Sequence, residues 1–428
     1  SLSMLAERTQ NKYQSLYTEM SLNWSYLMGT EEKVNRIVQD TLLAQNKDYG
    51  DIKTDATLNA ALSQSVAGEL ISRMRENDTT GIFIVFNGIG VVGKPDTYAG
   101  FYVRDTDPYT DSADNSDLHV LRGLPPLTRA LGLSLDSFRQ ASFTFPDGVS
   151  NSENDYFFEP LNASIDGIAR DRLHDGYWST PFNINGEDDG AVITYSEPLF
   201  NENGEIYGVI GVELNEDYLI AVLNQGEFAR TNLGCYFLGV TADEGKTYRR
   251  ITTGGAKYKQ FFKADDQVLT PLEPAVDERI RVKSTRNDEI IYGAVFPLKL
   301  YPTNTAFARQ QWVLIGMEDE TTLFASVESI RGLFVLAALM AAALGAVVSL
   351  LTGRAIVRPI VRLVNSLKTS NPNRPLNLER TGITEIDQLA DAILTQNRNV
   401  NEAAGRLTRI LKLAGLPVGV FEMRNDSD

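Results

Sequence analysis

Apolar residues run without a charge from Gly332 to Gly353, GLFVLAALMAAALGAVVSLLTG, between Arg331 and Arg354. At ~1.5 Å rise per residue this stretch reaches about 33 Å, close to the ~30 Å of bilayer hydrocarbon. A helix of that length without a polar face is predicted to cross a membrane, and residues 330–353 are assigned to it. Residues before and after it then lie on opposite sides.

Upstream the pattern changes period several times. Leu5, Leu16, Met20, Leu27, Val34, Ile37, Val38 and Leu42 step by three and four, which predicts one long helix over 4–46. A second helix is predicted over 55–76, ended by Asn77-Asp78. Gly81–Phe86 and Tyr98–Val103 read as strands, the first followed by an Asn87-Gly88 turn. From Asp105 to Asp189 the chain is polar with little periodicity, apart from a short helix near Leu124–Leu133. Ala191–Phe200 and Ile206–Leu214 flank Asn201–Gly204 as a hairpin, and Asn215 caps a helix over Tyr218–Asn224. Five more strands follow, at 235–241, 247–252, 279–284, 290–300 and 311–317. Glu320–Glu328 leads helically into the apolar segment. The fold class predicted is α+β, with two antiparallel-sheet modules and helices on one face of each.

Charge orients the chain. Residues 1–330 carry 28 Lys/Arg against 48 Asp/Glu, a net of −20; residues 331–428 carry 12 against 8, a net of +4, which together recover the −16 of the whole. Arg354, Arg358, Arg362 and Lys368 follow the span closely, so the C-terminal side is expected in the cytoplasm and residues 1–330 outside the cell membrane. The acidic outer part argues against nucleic acid as a partner. One cysteine, Cys235, excludes an intrachain disulfide, and His119 and His174 stand apart from it, so neither a metal nor another cofactor is expected. A signal or an earlier membrane helix is expected ahead of Ser1.

Three blocks carry a family resemblance: Tyr177-Trp-Ser-Thr-Pro181-Phe, Ile193-Thr-Tyr195-Ser-Glu-Pro198-Leu, and Gly204-Glu-Ile-Tyr-Gly208-Val-Ile-Gly211-Val-Glu213-Leu. In this order, residues 1–330 resemble the double Cache sensor domains of bacterial transmembrane receptors. The resemblance implies a sensor helix at 1–46, a membrane-distal ligand-binding module at 47–225 and a membrane-proximal module at 226–329. It places a small-molecule pocket between the distal sheet and the polar crossover.

The expected ligand-binding residues are Arg104, Asp105, Trp178, Tyr195 and Glu213. Trp178 and Tyr195 would supply flat apolar contact with a polar edge; each could equally be core. Glu213 follows an apolar run where a lone carboxylate is costly, so its partner is either a ligand amine or a structural Arg. Arg104 would grip a carboxylate or stand in a salt bridge. Amino-acid-binding members carry Arg-x-Trp-Tyr where this chain has Asp155-Tyr-Phe-Phe, so an amino-acid ligand is not expected. Glu213→Ala and Trp178→Ala are expected to remove ligand binding from a folded domain.

No Gly-x-Ser-x-Gly, His-Glu-x-x-His or phosphate-binding glycine loop occurs, and His174 beside Asp175 is too little for a triad, so the residues present are not expected to be an enzyme. A membrane-bound enzyme with a catalytic outer part, and an outer part that binds a partner protein, are the rival readings.

Beyond the membrane, Ile356, Ile360, Leu363 and Leu367 form one seam; Ile386, Leu389, Ile393, Gln396, Val400, Ala403, Leu407, Ile410 and Ala414 form a second. Ser370–Pro375 breaks the helix between them. Small residues at Ala337, Ala341, Gly345, Ser349 and Gly353 would let two membrane helices approach. With Pro359 near the start and Glu385-Ile-Asp-Gln-Leu389 opening the second helix, residues 354–405 resemble a HAMP linker. That implies a homodimeric four-helix bundle relaying a signal. Arg409–Glu422, within 406–428, looks like the start of a PAS-type region ahead of an output module, a diguanylate cyclase of the GGDEF type or a histidine kinase.

Overall fold

The computed structural model describes residues 2–109, 115–146, 148–165, 176–185, 190–303, 305–369, 378 and 380–414. Two compact units divide it, Ser1–Val327 and Glu328–Asp428. His174, Asp175, the Ser370–Pro375 breaker and the residues after Ala414 lie outside the described residues.

The first unit opens with α1 (Leu2–Thr18) and α2 (Thr30–Ala44), not with one helix over 4–46. A π-helical turn at Glu19–Asn23 follows α1, and Gly29 then takes a φ of +84°, which a helix cannot continue through. The apolar stripe persists across the break because Leu16, Met20, Trp24, Leu27 and Val34 are all buried. Helix α3 (Ala56–Glu76) is capped by Asp55, whose carboxylate accepts from the amides of Thr57 and Leu58 at 3.0 Å.

Sheet I follows: β1 (Gly81–Val91), β2 (Lys94–Asp105), β3 (Leu118–Arg122), β4 (Ser134–Gln140), β5 (Phe143–Thr144), β6 (Tyr177–Trp178), β7 (Val192–Phe200) and β8 (Ile206–Asn215). Its order is β4-β3-β2-β1-β8-β7-β6, with β5 against β2. Two helices interrupt it, α4 (Pro125–Leu131) and α5 (Asp155–Ile165). The pairing of β3 with β4 is parallel and falls in the polar crossover, where no strand period was visible. In β1, Ile82, Ile84 and Phe86 pack under α2 and α3, whereas Phe83 and Val85 face the crossover.

After α6 (Glu216–Asn224) and α7 (Glu227–Thr231), sheet II comprises β9 (Gly234–Thr241), β10 (Tyr248–Gly254), β11 (Val268–Leu269), β12 (Arg279–Lys283), β13 (Ile290–Leu298) and β14 (Gln311–Asp319), in the order β11-β10-β9-β14-β13-β12. A short helix, α8 (Tyr258–Phe261), covers one face; α1 and α6 cover the other. That second core also holds Trp178, Ile193 and Leu214 of sheet I, so the two modules share buried surface. The α+β class read from the sequence is the class observed.

The second unit contains most of α9 (Glu320–Thr352), then a π-helical turn at Gly353–Val357, α10 (Arg358–Thr369) and α11 (Thr384–Leu413). It holds the one helical stretch among the described residues long and apolar enough to cross a membrane. Leu363, Ile386 and Ala390 are buried between α10 and α11. The start of α11 is held by Asp387, which accepts from the Thr381 amide at 2.7 Å and the Gly382 amide at 3.1 Å. Ile356, Ile360, Leu389, Val400, Leu407 and Ile410 remain exposed, so one chain leaves half of the first seam and most of the second uncovered.

Candidate ligand site on the crossover face of sheet I

Residues directly paired across antiparallel strands point to the same face. Tyr177 pairs with Ser196, Ser196 with Gly211, and Gly211 with Phe83, which pairs with Tyr102. Thr194 pairs with Glu213, and Glu213 with Gly81, which pairs with Arg104. All of these belong to the crossover face. Gly81 lies between Arg104 and Glu213 and is the reason they meet: a Cβ there would come within 3.0 Å of the Val103 carbonyl and 3.1 Å of Glu213 Cβ.

Over Gly81 the Arg104 guanidinium donates to both carboxylate oxygens of Glu213, Nε to Oε1 at 2.7 Å and Nη2 to Oε2 at 2.9 Å. Tyr102 Oη donates to Oε2, and Thr80 Oγ1 donates to the Glu213 carbonyl at 3.0 Å. Glu213 is fully buried and Arg104 nearly so. Burial, then the Glu213 charge, push the Tyr102 hydroxyl well above its ordinary pKa, so it stays a donor. The carboxylate thus has an internal partner, and a ligand amine would have to displace Arg104 to reach it.

Three of the five residues expected at the site lie on the opposite face. Trp178 pairs with Tyr195 and packs toward Trp312, with ring centroids 6.1 Å apart. The Tyr195 hydroxyl donates to Glu197 at 2.8 Å. Asp105, one step on from Arg104, is buried and has Arg75 of α3 among its charged neighbours. Placing Trp178 and Tyr195 in a crossover pocket is therefore corrected by one residue along each strand: Tyr177, Thr194 and Ser196 occupy that face. Only the strand parity separates the two assignments.

Tyr177 donates to Asp155 Oδ2 at 2.9 Å, and Ser196 Oγ donates to the Tyr156 carbonyl at 2.6 Å. Tyr156 stacks on Phe182 with centroids 5.0 Å apart. Nearby, Arg122 lies over the Phe143 ring and donates to Asn185 Oδ1 at 2.7 Å and the Ile184 carbonyl at 2.9 Å. Three buried polar atoms here have no protein partner: Asp155 Oδ1, Asn183 Oδ1 and Asn185 Nδ2. Such orphans are costly unless something binds them. Asp155 Oδ1 and Asn183 Oδ1 can each accept a hydrogen bond, and Asn185 Nδ2 can donate one.

Burial raises the Asp155 carboxyl to about 7 from its ordinary 3.8. The folded chain then holds this proton more tightly than the unfolded one. Its stabilising contribution is full below about pH 4 and is lost as the pH rises through 7. Across that window it amounts to about 4 kcal/mol at most. Asp155→Asn should flatten the stability profile between about pH 4 and 8 and exceed the parent in stability at the alkaline end. Denaturant melts across pH check this; an unchanged profile would mean another group titrates.

Residues 149–220 match the family model of the methyl-accepting chemotaxis protein-like first PDC sensor domain. The matched stretch spans α5, β6, β7 and β8, which supply Asp155, Tyr177, Ser196 and Glu213. Among solved structures, the ligand-binding domain of the Pseudomonas fluorescens chemoreceptor CtaA in complex with L-alanine is 13% identical, with a TM-score of 0.37, covering 76% of this chain and 100% of that one. That of the Pseudomonas aeruginosa amino acid chemoreceptor PctB in complex with L-Arg is also 13% identical, at a TM-score of 0.36, covering 76% and 96%. That of the Campylobacter jejuni chemoreceptor Tlp3 in complex with L-norvaline is 13% identical, at 0.35, covering 74% and 92%. Likeness at this level assigns no residue a role here. Curated proteins give no match.

Proposed function

We propose that this chain is the sensor and linker portion of a transmembrane signalling receptor. A small polar molecule binds on the crossover face of sheet I, outside the cell membrane. The observation that carries the reading is the chemoreceptor-type sensor match over 149–220, the stretch that supplies β6, β7 and β8 of this face and contains Asp155, Asn183 and Asn185. The α-amino-acid clamp is not proposed, because Glu213 is already held by Arg104.

The second unit supports a relay. Its apolar helix and the basic residues beyond it fit a single crossing with the C-terminal side in the cytoplasm. The exposed seams of α10 and α11 fit burial in a HAMP-type four-helix bundle formed by two chains. Ligand binding would bias two packings of similar energy. The output module proposed is a diguanylate cyclase, with a histidine kinase as the alternative.

The test is a thermal-shift screen of the full chain in lipid nanodiscs against polar metabolites, followed by mass analysis of each hit. A ligand that binds only the folded state raises the midpoint, by about 2.7 kcal/mol of stability at a hundredfold excess over its Kd. Asn183→Ala should abolish the shift without lowering the unliganded midpoint; Asn185→Ala should abolish it too, at a lower unliganded midpoint because Arg122 loses its Asn185 acceptor. Hits recovered chemically altered would point to an enzyme instead, and hits unaffected by both variants would move the site elsewhere.

A further inference from the structure

A second cavity sits at the far end of the same sheet. It encloses about 450 Å³ beneath the β7–β8 hairpin, lined by Tyr49, Lys53, Asn87, Phe200, Glu205 and Tyr207 among others. Tyr207 and Glu213 are six residues apart on β8, about 20 Å at ~3.4 Å per residue, so this cavity lies away from the Arg104–Glu213 pair, although Leu161 and Ile206 in its lining also belong to the crossover core. The volume lies within the range of small-molecule sites.

Its lining has an uncommitted polar set. Among the described residues, the Lys53 ammonium, the Tyr49 hydroxyl and the Asn87 amide have no hydrogen-bond or ion-pair partner. Glu205 Oε2 accepts from Asn201 Nδ2 at 2.9 Å, which leaves Oε1 for another donor. Aromatic rings form part of the wall: those of Tyr49 and Tyr207 lie 5.2 Å apart, tilted by 49°, and Phe200 also lines the cavity. Tyr207 is fixed by donating its hydroxyl to Asn35 Oδ1.

Lys53 and Glu205 cancel in charge, and Glu202 stands close enough to help raise the Tyr49 hydroxyl's pKa. A strong anion would face these carboxylates, and a strong cation would face Lys53. What remains is a neutral molecule that donates and accepts several hydrogen bonds and has a flat C–H face to lay on an aromatic ring. We infer that this cavity binds a saccharide, one or two pyranose rings in size.

Titration of maltose and glucose into the full chain in nanodiscs, read by saturation-transfer NMR and calorimetry, tests this. Maltose is expected to bind in the micromolar to millimolar range. Tyr49→Ala, which removes a stacking wall, should weaken it about tenfold, and Lys53→Met about threefold to tenfold. Lys53 is exposed, so its variant reports on binding even if Tyr49→Ala disturbs folding. Asn185→Ala on the crossover face should leave maltose affinity within about twofold, so this site and the proposed sensor site fail independently. No binding of either sugar at millimolar concentration, an unchanged affinity in Lys53→Met, or tighter binding of glucosamine or glucuronate than of glucose would overturn the inference.

Discussion

Glu213→Ala should destabilise the first unit by about 3–5 kcal/mol, the cost of taking one member out of a buried ion pair. Arg104 is buried against this carboxylate with two charge-assisted bonds, and Tyr102 gives its hydroxyl to the same group. Truncation takes the shared carboxylate from both the guanidinium and the phenol in a low-dielectric setting. Replacing both charges at once, Arg104→Met with Glu213→Leu, should lose far less, because the pair's mutual attraction repays little more than its desolvation. Denaturant melts of the full chain in detergent, run as a double-mutant cycle, give the comparison. A single-variant loss below about 1 kcal/mol would show that the pair is solvated rather than buried.

Trp178→Ala should cost a similar amount, about 3–5 kcal/mol, as a core truncation. The indole is about 1% exposed, with the Tyr195 ring 5.2 Å and the Trp312 ring 6.1 Å from it. Its backbone amide also donates to the Tyr301 hydroxyl at 2.9 Å, which fixes where the cavity would open. Any loss of ligand response in this variant should track loss of fold, in contrast to the expectation that Trp178 touches ligand directly. Trp178→Phe separates the two: it should keep most of the stability and the whole ligand response. A stable Trp178→Ala that no longer binds ligand would return the residue to the site.

Both residues show how far the linear order reached. That Glu213 needed a partner followed from its place behind an apolar run. Which partner it had did not follow, because Arg104 lies 109 residues away and meets it only across Gly81. Asp155 appeared in the sequence only as the first residue of a stretch, Asp155–Pro160, that departs from the pattern of the resembled family. Its uncommitted oxygen and raised pKa depend on packing by Tyr177 and α5, which leaves no local signal. The cavity by Tyr49 and Lys53 had no signal either, since its walls come from four separated segments.

Periodicity, read along the chain, was sufficient for a helix long and apolar enough to cross a membrane, the α+β class and most strand positions. These properties are local: each depends on residues within one or two turns, or on a count. Three things required the folded chain: the break at Gly29, the face of sheet I to which Trp178 and Tyr195 turn, and the pairing of Arg104 with Glu213. A strand presents both faces equally to a reader of its sequence, and only the layer packed against it decides which side becomes core.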